Sequence, residues 1–181
     1  MELAAMVRYA HALVRAMKND LAKTRTVEPV FVLLQKNACD FVAYDPLLLQ
    51  SPPGRTAIAE NLRQRAIQTG AAAVLIGMDT YAFVPDLEAI ATANERLVQA
   101  ATNAGINALV RSGFGRKSEA ISVSLQTSAF HLLVQQLYTR GNSNSIVFGE
   151  LRRVDSREYG NSPVISTGLF NVFSLGRAGR V

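Results

Sequence analysis

The sequence predicts an α+β fold: a single domain in which a mostly antiparallel sheet carries helices packed on one face. Three observations predict it. Ile121, Val123 and Leu125 alternate with Ser122, Ser124 and Gln126. That period of two lets a strand turn one side to a core and the other to water. The same stretch runs on through F-H-L-L-V-Q-Q-L-Y, a polar G-N-S-N, and S-I-V-F-G-E-L. Successive strands with links this short pair antiparallel. Upstream, apolar residues recur at helical spacing, which supplies layers to cover the sheet.

The elements follow in order. Leu3, Val7, Ala10, Val14, Met17 and Leu21 form one stripe on a helix spanning residues 1–22. Pro29 opens V-F-V-L-L-Q, the turn residues Lys36 to Asp40 follow, and F-V-A-Y completes a hairpin over residues 30–45. Ser51-Pro52-Pro53-Gly54 reads as a stop. Ile58, Leu62 and Ala66 then mark a helix ending at Gly70. A-A-A-V-L-I-G-M-D-T-Y-A-F-V reads as a strand, with Gly77 marking a bulge or a close backbone approach. Asp86 is expected to cap a helix whose stripe runs Leu87, Ile90, Asn94, Leu97, Ala101 and Ala104. A basic glycine loop from Arg111 to Ser118 leads into the meander. A last apolar run, G-L-F-N-V-F-S-L, precedes a tail, 176–181, that is expected to be flexible.

A chain of 181 residues suits one domain, 1–181, with enough apolar content (49%) for a core of its own. No apolar run reaches the 18 or so residues a membrane span needs. The N-terminal segment is interrupted by Glu2, Arg8, His11 and Arg15, unlike a secretory leader, so a cytoplasmic location is expected. Cys39 is the only cysteine, and His11 and His131 are the only histidines. A Cys/His zinc site therefore has too few ligands, and no cofactor motif is present. His131 lacks a nucleophile-elbow serine nearby and reads as a sheet residue.

The net charge of +5 comes from 19 basic and 14 acidic residues. Its excess lies late, in Arg111, Arg116, Lys117, Arg152, Arg153 and Arg157. Such a surface would hold an anion or a nucleic acid through counterion release. Gly113-Phe-Gly-Arg-Lys-Ser118 is the best anion cradle, because glycines let backbone N–H groups approach a phosphate. It has Arg116 where a P-loop needs lysine, and it leads into a strand, so nucleotide hydrolysis is not expected. Arg152, Arg153 and Arg157 with Tyr159, joined by Tyr138, resemble the arginine–aromatic clusters that grip single strands. Asp79, Glu119 and Glu150, with Asp155, are the carboxylates that could converge on a metal for hydrolysis.

The order of a helix, G-A-A-A-V-L-I-G-M-D-T-Y, a variable insert, E-A-I-S-V-S-L and a later I-V-F-G-E resembles a loosely defined group of small uncharacterised bacterial and phage proteins. The likeness covers residues 27–155 and carries no activity, so it implies no catalytic residue. The reading is a non-enzymatic binding or structural protein that forms a homo-oligomer, without a membrane anchor. The alternatives are a nucleic-acid-binding module on the late basic surface, and a metal-dependent hydrolase on Asp79, Glu119 and Glu150.

Overall fold

The computed structural model describes residues 1–142, 145–155 and Val172. Helix α1 (Leu3–Thr24) leads into the hairpin β1 (Val30–Leu34) and β2 (Cys39–Val42). Helices α2 (Pro46–Leu49) and α3 (Pro52–Thr69) connect it to the long strand β3 (Ala73–Pro85). Three helices follow: α4 (Leu87–Thr92), α5 (Glu95–Ala104) and α6 (Ile106–Arg111). The meander β4 (Gly115–Gln126), β5 (His131–Arg140) and β6 (Ile146–Asp155) completes the described elements. The six strands make one sheet in the order β2-β1-β3-β4-β5-β6, and every pairing is antiparallel. The α+β class and the antiparallel sheet are as the sequence predicts.

The helices occupy both faces of the sheet, not one. Alternation along β1 and β3 sends Val32, Leu34, Ala73 and Leu75 into a core with Met6, Ala10, Val14, Met17 and Leu21 of α1. It sends Phe31, Leu33, Val74 and Ile76 the other way, onto Ile58, Leu62 and Ala66 of α3. Both core stripes were encoded in the helical spacing. The α1 stripe is rotated slightly: Met6 is buried and Leu3 is 37% exposed. His11 is half-buried. Gly77 is a point of close approach, since a Cβ there would meet the Met17 sulfur at 2.5 Å.

Three local expectations need correction. Ser51-Pro52-Pro53-Gly54 starts a helix as well as ending one. The Ser51 hydroxyl accepts the Gly54 N–H at 3.1 Å, and the prolines fill the first turn, where an N–H has no helical partner to lose. The helix after Asp86 is not continuous. Asp86 caps it as expected, but Ala93 is extended and Asn94 caps a new helix through Arg96 N–H at 2.9 Å. Leu87 and Leu97 are left exposed and only Ala101 of that stripe is buried. The basic glycine loop is mostly not a loop, because α6 precedes it and β4 begins at Gly115.

The four strands β3 to β6 curl. Arg152 on β6 donates from Nη1 to the Phe83 carbonyl on β3 at 3.3 Å. Two strands stand between them, so a flat sheet would hold those strands about 14 Å apart. The register also sets Arg152 level with Met78, through Gln135 and Ser122, and so away from Phe83 along β3. Twist carried along strands this long brings such corners together. The inside of the curl has small side chains, with Thr80, Ala82, Ser118, Ala120 and Ser122 on the face away from α1. β6 also bulges between its pairings with Gln136 and Tyr138. The Gln136 amide donates to the Gly149 carbonyl there at 2.8 Å and satisfies it. The late apolar run, apart from Val172, lies outside the described residues, as do Arg157, Tyr159 and the 176–181 tail.

Candidate functional site

Among the described residues, the densest charged cluster lies on the α1 side of the sheet, where that helix ends. Arg25 ends α1 in the left-handed region (φ 68°) and leaves its carbonyl without a helical donor. Arg140 Nη1 donates to that carbonyl at 2.9 Å. The same guanidinium donates from Nε to Glu119 Oε1 at 3.0 Å and from Nη2 to the Tyr138 hydroxyl at 3.0 Å, and it lies 3.5 Å from Asp79 Oδ2. Tyr138 in turn donates to Asp79 Oδ1 at 2.7 Å. Asp79, Glu119 and the pair Tyr138/Arg140 come from three adjacent strands, all facing α1.

The electrostatics follow from the geometry. Burial of the Tyr138 phenol raises its pKa above the ordinary value, and the adjacent Asp79 carboxylate raises it further. The phenol is therefore a committed donor. The Glu119 carboxylate beside Arg140 raises the guanidinium's pKa, so its charge is permanent. The cluster is a clamp of two carboxylates, one cation and one phenol that ties the end of α1 to the sheet.

Of the carboxylates proposed for a metal, Asp79 and Glu119 do come together, but Arg140 bridges them. Glu150 accepts from Arg152 Nε at 3.0 Å on the edge strand, and Asp155 accepts from Arg153 Nη2 at 3.2 Å near the opposite end of the sheet. No group of three His, Cys, Asp or Glu side chains suited to a metal occurs among the described residues.

The basic residues are split. Neighbours on a strand point to opposite faces, so Arg116 and Lys117 part company, and so do Arg152 and Arg153. Lys117 sits 5.5 Å from the centre of the exposed Tyr81 ring on the α1 side. Arg116 pairs opposite Val84, next to the Phe83 carbonyl that Arg152 reaches across the curl. Arg111 is exposed at the end of α6. The expected cradle is reduced to Gly113 and Phe114 before β4. Tyr138 does not join the arginines of β6; its ring meets Phe148 at 6.4 Å and its hydroxyl meets Asp79.

The opposite side of β4 and β5 carries a buried polar lattice. Thr80 Oγ1 and Ser122 Oγ are 2.6 Å apart, and Gln135 Nε2 donates to Ser122 Oγ at 2.9 Å. Gln126 Nε2 donates to Ser124 Oγ at 3.1 Å, and its Oε1 accepts the Val172 N–H at 2.8 Å. His131, opposite Gln126, is buried at the same end. Cys39 is exposed on β2.

Sequence reasoning missed the Arg140 clamp. Its signal was Tyr138 and Arg140 two apart on a strand, hence on one face, but their partners depend on the register. No protein-family model, curated protein or solved structure matches the chain. Fold and cluster together define a single-domain α+β protein with a curled antiparallel sheet clamped to its first helix. No helix among the described residues is long and apolar enough to cross a membrane.

Proposed function

We propose that this is a non-enzymatic, self-associating binding or structural protein that works through the open edge of its sheet. One observation carries the reading. Among the described residues β6 ends the sheet order with ten residues, and Val147 and Leu151 on it are 60% and 48% exposed. An edge of that length presents unpaired backbone groups to another strand. The clamp supports the same reading, because its carboxylates, cation and phenol are spent on one another. Light scattering on the eluting protein at about tens of micromolar tests it, in the range where transient interfaces form. Mass rising with concentration supports it, and a strict monomer removes it.

A second reading is contact with a nucleic acid. It rests on Arg116 and Arg152 approaching the same Phe83–Val84 segment, with a net charge of +5 behind them. Binding that weakens steeply as salt rises would support it.

A further inference from the structure

We propose that the mouth of the curl holds one backbone phosphate of a single-stranded nucleic acid, between Arg116, Arg152 and Ser118. The proposal rests on the nucleic-acid reading and adds the residues, the face of the sheet and the group that is bound. Arg116 and Ser118 stand two apart on β4, so both turn to the inside of the curl, away from α1. They pair opposite Val84 and Ala82. Arg116 is exposed and meets no acceptor among the described residues. Ser118 is 8% exposed, yet its hydroxyl reaches only the carbonyl of Glu119, at 3.4 Å. A sound hydroxyl bond runs at about 2.7–2.8 Å, so this one is nearly unmade and the donor is left for a better acceptor. Arg152 comes in from β6 with two corners of its guanidinium engaged. Its Nε donates to Glu150 at 3.0 Å and its Nη1 to the Phe83 carbonyl at 3.3 Å. Those bonds fix the fork beside the segment that Arg116 pairs with, and they leave Nη2 to donate.

The chemistry of the mouth selects the group. Two guanidiniums against one carboxylate leave one net positive charge, and Glu150 is mostly exposed, where water screens it. Fixed N–H donors beside a hydroxyl suit an oxyanion with several acceptor oxygens, and guanidiniums match phosphate better than a lysine does. A concave site focuses that charge more than a flat surface would. A single strand can bend one phosphate into such a mouth, whereas a duplex carries its phosphates on a stiff rod. Lys117 has the same charge but no part in the site. It lies between Arg116 and Ser118 in the chain, and its ammonium sits on the α1 side, 5.5 Å from the Tyr81 ring.

That opposition of neighbours supplies the test. Fluorescence anisotropy of a labelled oligothymidylate is followed at low salt with the full chain. Arg116→Gln is expected to weaken binding about tenfold. The variant should fold as the parent does, since this side chain holds nothing in the fold, and its urea midpoint checks that. Lys117→Gln removes the same charge from the other face and is expected to change binding by less than about twofold. Ser118→Ala is expected to weaken it about fivefold. Inorganic phosphate is expected to displace the oligonucleotide more effectively than sodium chloride of equal ionic strength. If Arg116→Gln and Lys117→Gln lose binding equally, or the two salts displace equally, the site is overturned and the nucleic-acid reading stands on diffuse charge alone. A parent chain that binds no oligonucleotide at low salt overturns both.

Discussion

The Tyr138 hydroxyl lies 2.7 Å from Asp79 Oδ1 and donates to it, joining residues 59 positions apart in the chain. Tyr138 is 1% exposed, so the phenol has given up water for that carboxylate. Arg140, two residues further along β5, approaches the same carboxylate and holds Glu119 and the Arg25 carbonyl besides. One short strand end thus anchors the last turn of α1 and two neighbouring strands. A buried phenol with a charged acceptor contributes more than an exposed one, because removing it strands the acceptor.

Tyr138→Phe is expected to cost about 1–2 kcal/mol at neutral pH, read from the urea midpoint. The pH dependence follows from the raised phenol pKa in the fold. Below the ordinary phenol value of about 10, both states keep the proton and the contribution is complete. Above it, the unfolded chain ionises Tyr138 while the folded chain does not, so stability falls as pH rises toward the folded value. Between pH 10 and about 11 the parent chain should lose stability more steeply than Tyr138→Phe. Tyr44 is also raised by burial and contributes to both proteins, so the difference between them is the quantity to measure. Equal slopes would show that Tyr138 is not held neutral.

Features written into neighbouring residues were legible in the sequence. The alternation of Ile121, Val123 and Leu125 with Ser122 and Ser124 gave β4, and the stripe from Ala10 to Leu21 gave α1, because each needs only its own periodicity. Ser51-Pro52-Pro53-Gly54 was ambiguous in kind: prolines end one helix and open the next, and only the Ser51 cap separates the two outcomes. The Arg140–Asp79 contact was out of reach, since it joins positions 61 apart through a register that no local pattern encodes. The split of Arg152 from Arg153 was implicit in the period of two, but only once both lay inside a strand. The curl was hidden for a different reason: it arises from twist accumulated over four strands, and its trace in the sequence is the small residues Ala82, Ala120 and Ser122.

Two glycines should differ sharply in what they tolerate. A Cβ at Gly77 would meet the Met17 sulfur at 2.5 Å, and that side chain is flexible enough to turn aside. Gly77→Ala is expected to cost about 1–2 kcal/mol, and with Met17→Ala the pair should cost less than the sum of the single changes. At Gly54 the obstacle is the Leu48 carbonyl and backbone, which α2 and its Asp45 cap hold in place. Gly54→Ala is expected to be the more damaging change, by about 2 kcal/mol or more over Gly77→Ala. Thermal or urea unfolding of the two variants side by side checks the order. The reverse ranking would mean that the α2–α3 corner yields more readily than the packing of α1 on β3.

Substitution separates a structural role for the polar lattice on the far side of β4 and β5 from a role in binding. Ser122 is fully buried and serves both Thr80 and Gln135. Ser122→Ala removes one hydroxyl but leaves two polar groups without that partner, so the expected cost is about 1–3 kcal/mol. Replacing all three by apolar residues of similar shape, with Thr80→Val, Ser122→Ala and Gln135→Leu, removes the stranded groups together. The triple variant is expected to recover most of the single variant's loss, because each of these hydrogen bonds exchanges with water at little net gain. Recovery of stability with self-association intact would assign the lattice to holding the curl. A triple variant that is as stable as the parent but has lost self-association would instead make this face, and not the β6 edge, the surface through which the protein acts.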